Sequence, residues 1–181
     1  MSLYIWINKI VFPKLSLWLI GVSIFIICTA LYLGFSWLSL QISSPQKPQV
    51  IPILARIEVA KQRIYLEVPQ APEQEAQGLM YRTIVPRNRG ILFEFQPPQA
   101  IEFSMQNMLV PVDTIFLRNT EIQQILIAVP TCNEENCPTY SSKVKIDQMM
   151  QLQARRTLDL GLKSGDRLPI EFLDLDTKTF R

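Results

Sequence analysis

Gly90-Ile91-Leu92-Phe93-Glu94-Phe95-Gln96-Pro97-Pro98-Gln99-Ala100-Ile101-Glu102-Phe103-Ser104-Met105-Gln106 is the stretch that decides the fold. Ile91, Phe93 and Phe95 alternate with Leu92 and Glu94, and Ile101, Phe103 and Met105 alternate with Glu102, Ser104 and Gln106. Successive strand side chains point to opposite faces, so a period of two marks strands rather than helices. Gln96-Pro97-Pro98-Gln99 lies between the two runs and reads as a connection, because proline cannot donate to a sheet ladder.

The same period recurs on both sides of this stretch. Ile64, Leu66 and Val68 alternate with Arg63, Tyr65 and Glu67, and further strands are predicted at Thr114–Leu117, Glu121–Val129, Gln148–Leu152 and Leu168–Leu173. Two short helices interrupt the pattern. One starts near Ala71, with Pro72 at its first position and Glu73 and Glu75 in the first turn. The other runs from Ala154 to Leu160 and stops at Gly161. The domain, residues 54–175 with a tail at 176–181, is therefore predicted to be mainly β, a β-rich α+β fold. Its expected form is a single antiparallel β-sandwich or partly closed barrel with two short helices. About 120 residues can bury a core without metals or many cross-links.

Upstream, no charged side chain occurs from Leu15 to Ile42. A helix over that run is roughly 40 Å long, enough to span a bilayer core of about 30 Å with some tilt. Trp18 and Trp37 sit near its two ends, where indole rings favour the headgroup zone. Lys9 and Lys14 precede it, and no acid occurs before Glu58. The expectation is a single-pass anchor at 15–42, a cytoplasmic N-terminus at 1–14, and a domain on the periplasmic or extracellular side. The alternatives are a buried core helix, or a leader cut near Ser43; the run far exceeds the length of a signal-peptide apolar region. Residues 43–53 carry Pro45, Pro48 and Pro52 and read as a stiff spacer, or else as a loop packed on the domain.

The protein has no histidine, which excludes Ser-His and Cys-His catalysis and imidazole ligation of metals. No carboxylate spacing marks an acid–base pair, no glycine-rich phosphate loop is present, and no catalytic residue, cofactor or metal is assigned. The net charge of +2 comes from Lys9 and Lys14, so acids and bases cancel beyond Pro45 and no basic footprint for nucleic acid remains. Cys132 and Cys137 frame Asn133-Glu134-Glu135-Asn136. Outside the cytoplasm they can form a disulfide; free thiols or half a metal site are the alternatives. Met80, Met105 and Met108 read as core filler.

Five stretches, taken in order, carry a resemblance. They are Glu75-Ala76-Gln77-Gly78-Leu79-Met80-Tyr81-Arg82, Gly90–Phe95, Phe103–Asn107 with Pro111-Val112-Asp113, Cys137-Pro138-Thr139-Tyr140-Ser141-Ser142, and Leu160–Asp166. Together they resemble the Domain of Unknown Function 192 family over nearly the whole domain. The resemblance implies a compact β-sandwich-like domain, often behind a signal or anchor, with no assigned activity. Arg82, Asn107, Asp113 and Tyr140 match its motifs and are the candidate binding residues. Ser104 stands where the family pattern leads one to expect tryptophan, Gln106 where it has lysine, and Gln151 where glutamate is usual.

Asp113 can brace a turn or pair with Arg82, and a polar cluster rimmed by the Cys132–Cys137 loop is the functional alternative. The reading these features favour is an envelope binding or accessory module, held in the lipid bilayer by residues 15–42, for a small polar ligand or an envelope protein. A structural partner of a membrane complex and a histidine-free hydrolase using Asp113 are the other readings.

Overall fold

The structure, a computed structural model, describes residues 21–32, 47–134 and 136–173. Residues 21–32 are helical (α1). Among the described residues no helix is long and apolar enough to cross a membrane, and the rest of the expected anchor at 15–42 lies outside them. A separate compact unit begins at Lys47.

That unit is mainly β. Its strands are β1 (Ile53–Val59), β2 (Gln62–Glu67), β3 (Arg89–Gln99), β4 (Glu102–Ser104), β5 (Val112–Arg118), β6 (Glu121–Val129), β7 (Thr139–Ser141), β8 (Ile146–Gln153) and β9 (Glu171–Phe172). Two short helices, α2 (Pro72–Gln77) and α3 (Arg156–Asp159), fall where the sequence predicts them. Seven strands form one sheet in the order β6-β5-β8-β3-β2-β1-β9, and β4 pairs with β7 in a small second sheet.

Two expectations are corrected. The sheet is mixed rather than antiparallel, because β2 and β3 run parallel. A parallel pair needs a crossover of a dozen or more residues, and the segment 68–88, which carries α2, supplies it. The sheet ends in separate edges at β6 and β9, so no closed barrel forms among the described residues. Gln96-Pro97-Pro98-Gln99 is not a connection either. It lies inside β3, where the ladder with β8 shifts register between Glu94 and Gln99 and frees proline from donating.

The alternation seen in the sequence feeds two cores, one on each face of the main sheet. Leu92, Ile115, Leu117, Met150 and Leu152 join Ile57, Leu66, Leu160 and Leu168 on one face. Ile91, Phe93, Phe116 and Met149 join Leu79, Met105 and Met108 on the other. Strand β5 is therefore buried from Val112 to Leu117 without a break. A fully buried Leu, Ile or Phe contributes about 1.5–3 kcal/mol, so this double-sided centre supplies most of the driving force.

Gly90 shows how tightly the centre is packed. A Cβ there would lie 2.7 Å from the Gln151 carbonyl oxygen and closer still to the Leu152 side chain. We expect Gly90→Ala to destabilise the domain by about 2 kcal/mol, read from the midpoint of urea unfolding. A change under about 0.5 kcal/mol would contradict this packing.

The far edge is held differently. Glu171 on β9 accepts two hydrogen bonds from Arg56 on β1, at 2.8 and 2.7 Å. Those bonds hold the Glu171 carboxyl below its ordinary range and raise Arg56. A depressed carboxylate stabilises above its unfolded pKa, and the effect is lost as pH falls through the folded value. Protection of the Phe172 and Leu173 amides, taken relative to the intrinsic exchange rate at each pH, should thus fall on acidification below about pH 4, ahead of the β3–β8 ladder. Simultaneous release of both would refute it.

Candidate functional site

The two faces are not filled equally. On the face carrying Phe93 and Met149, a cavity of about 450 Å³ lies under α2. The helix and the turn after it form the roof with Glu75, Gln77 and Met80. Phe93 and Phe95 of β3 line it, with Met149 and Gln151 of β8. Ile101, Glu102, Phe103, Ser104 and Met105 close the side formed by β4.

Local sequence explains the roof. Pro72 starts α2, and Gly78 ends it at φ 49, a left-handed conformation that suits glycine. A Cβ at Gly78 would also press the Phe93 ring at 3.3 Å. Residues expected to form a spacer hold the helix from outside. The Gln49 amide donates to the carbonyls of Gln74 and Gly78, at 2.8 and 3.0 Å, and Gln77 donates to the Lys47 carbonyl at 2.7 Å.

Polar groups in this region lack partners. Gln151 is only 6% exposed, and its side chain makes no hydrogen bond among the described residues. Directly opposite it in the β5–β8 ladder stands Thr114, whose Oγ1 is buried and also unpartnered. Buried polar atoms are nearly always hydrogen-bonded, so the Thr114 hydroxyl is an exception, and the Gln151 amide opposite it lines the cavity without a side-chain partner among the described residues.

The four candidate binding residues do not form one cluster: no side-chain hydrogen bond or ion pair joins any two of them among the described residues. Arg82 pairs with Glu67, not Asp113, through two hydrogen bonds of 2.9 and 2.6 Å, and also donates to the Gln49 carbonyl. Asn107 adopts φ 60, and its backbone links Tyr81 to Cys132. Tyr140 packs on Phe103 with ring centroids 5.5 Å apart. It also lines a second cavity of about 240 Å³ beside the Cys132–Cys137 disulfide.

Asp113 is fully buried, on the β5 face shared with Ile115 and Leu117 and opposite the cavity. Its Oδ1 accepts from the backbone N–H groups of Ala128 and Arg155, at 2.8 and 2.7 Å. Its Oδ2 accepts from the Thr157 N–H and hydroxyl, at 2.8 and 2.6 Å. Every lone pair of the carboxylate is thus engaged, and Asp113 has none left for a substrate.

Sequence reasoning overlooked Glu67, which alternation assigns to an exposed face but which is 4% exposed. Phe93 and Phe103 read only as strand residues, and Met105 as core filler. The useful signal was departure from the family pattern, since Ser104 and Gln151 both line the cavity.

With fold and cavity described, the relatives can be placed. Residues 55–170 match the family DUF192, described as "Uncharacterized ACR", and the chain belongs to this uncharacterised family. Among solved structures it is similar to a Sinorhizobium meliloti 1021 protein provisionally described as a transcription regulator. That match has 26% identity and a TM-score of 0.59, covering 67% of this chain and 96% of that one. It is also similar in fold to a protein of unknown function from Novosphingobium aromaticivorans DSM 12444. Here the identity is 21% and the TM-score 0.58, with coverage of 71% and 94%. No curated protein matches the chain.

The hydrogen bonds to Asp113 generate a test. In Asp113→Asn an amide NH₂ faces at least one pair of donors, so we expect a loss of about 3 kcal/mol in urea unfolding. A loss under about 1 kcal/mol would show the carboxylate to be dispensable for stability.

Proposed function

We propose that this protein is a cell-envelope binding module whose domain takes a small amphipathic ligand in the cavity under α2. The observation that carries the reading is the pairing of a cavity of about 450 Å³ with the unpartnered, nine-tenths-buried Gln151 on its wall. Small-molecule sites have volumes of this order, with mostly apolar walls and a few inward polar groups that fix orientation. Phenylalanines and methionines supply the apolar contact, and methionine adapts to the shape of a guest. Gln151 and Ser104 supply the hydrogen bonds.

The envelope location rests on other features. The uncharged run from Leu15 to Ile42 behind Lys9 and Lys14 supports an anchor in the lipid bilayer with the domain outside the cytoplasm. The Cys132–Cys137 disulfide agrees with an oxidising compartment. Balanced charge beyond Pro45 gives no support to a nucleic-acid partner.

Methionine methyl NMR on the full chain in lipid nanodiscs tests the ligand reading, with phenethyl alcohol as the probe. Met105, Met108 and Met149 should shift saturably, whereas Met150, on the opposite face, should not. Ser104→Trp, which places an indole in the cavity, should abolish the shifts. Equal movement of Met150, or no saturable shift at the other three, overturns the reading. Protease added outside spheroplasts should digest the domain; full protection would reverse the topology.

A further inference from the structure

We infer that the cavity selects organic cations, amphiphiles with an aromatic or alkyl body and an ammonium head. This rests on the ligand-binding reading above and adds the charge class. Both charged residues lining the cavity, Glu75 and Glu102, are acidic. Both are exposed, and neither forms a salt bridge among the described residues. Both carboxylates lie on the lining of one cavity, so their charges act together on whatever approaches it.

Three phenylalanines, Phe93, Phe95 and Phe103, line the same space. The faces of phenyl rings attract cations, and aromatic walls with nearby carboxylates are the usual means of holding an ammonium group. Gln151 adds a neutral amide that lines the cavity without a side-chain hydrogen bond among the described residues, and its carbonyl oxygen can accept from an N–H donor. Anions meet the reverse situation. Among the described residues no arginine or lysine lines the cavity, and approach of an anion brings like charges together at Glu75 and Glu102. Neutral guests gain the apolar contacts but not the attraction at the rim.

The experiment compares three probes with a common phenethyl body: phenethylammonium, phenethyl alcohol and the anion hydrocinnamate. Each is titrated into the full chain in nanodiscs of zwitterionic lipid and followed at the Met105 and Met149 methyls. Phenethylammonium should bind about tenfold more tightly than the alcohol, with hydrocinnamate weakest. Because the carboxylates are exposed, the preference should shrink as salt rises from about 20 mM to about 300 mM. In the double variant Glu75→Gln with Glu102→Gln, the affinity for the ammonium should fall to that for the alcohol. If the alcohol or the anion binds as tightly as the cation, the charge inference fails and the binding reading stands. If none of the three binds saturably, both fail together.

Discussion

A carboxylate removed entirely from water is tolerable only where hydrogen bonds replace its hydration, and Asp113 meets that condition with four. The donors come from distant parts of the chain: the β6 edge at Ala128, and the turn into α3 at Arg155 and Thr157. Two of them require unusual backbone. Ala128 sits at φ 50 beside a register shift in the β5–β6 ladder, and Arg155 sits at φ 65 as the residue before α3. Neither is glycine, so each left-handed residue carries a steric cost that the short hydrogen bonds to Asp113 offset. The carboxylate thus fixes where β6 bends and where α3 begins.

With one face fastened in this way, the other can be less complete. The Asp113 face is closed by aliphatic side chains from β1, β2 and the loop after α3, among them Ile57, Leu66, Leu162 and Leu168. Arg156, buried at 4% exposure, ties α3 to this body by donating to the Arg87 carbonyl and to Gln62 Oε1. The opposite face is covered by a six-residue helix and a two-stranded sheet, and its filling is phenylalanine and methionine. Short covering elements cannot seal a seven-stranded sheet. The cavity follows from that mismatch of cover to surface rather than from any single residue. The ion pair of Arg82 with Glu67 and the Gln49 contacts then hold the cover in one place, which a site needs if its walls are to be preformed.

Much of this was legible in the sequence. Period two at Ile91–Phe95 and at Ile101–Met105 located two strands, and Glu121–Val129 coincides with β6. Strand β1 escaped notice for a physical reason. Its turn to β2 uses Ala60 and Lys61 at φ 51 and 60, positions where glycine or asparagine normally announces a hairpin. The parallel β2–β3 pair was hidden too, since local alternation says nothing about which strand lies alongside. Asp113 and Arg82 were recognisable as important, but their partners are backbone amides and a strand glutamate, neither of which leaves a mark in sequence spacing. The cavity was least legible of all, because an unfilled volume depends on the cover and not on the lining alone.

The departures from the family pattern bear on what that volume can hold. A glutamate at position 151 would place a carboxylate in the cavity wall beside Thr114, with no arginine or lysine among the described lining residues to compensate it. Such a group stays neutral or draws in a cation, because burial of an unpaired charge is prohibitive. Gln151 keeps the shape and the hydrogen-bonding capacity without that conflict. Likewise a tryptophan at position 104 would occupy space on the β4 side that serine leaves open. The change at position 104 enlarges the chamber and the change at 151 removes a wall charge, so the negative charge of the lining stays with the exposed Glu75 and Glu102. Charge at a mouth acts on approach and is screened by salt, whereas the wall decides fit by shape and hydrogen bonding. On the proposed reading, selection by charge and selection by shape fall to different residues, and both sets are separate from the carboxylate that holds the fold.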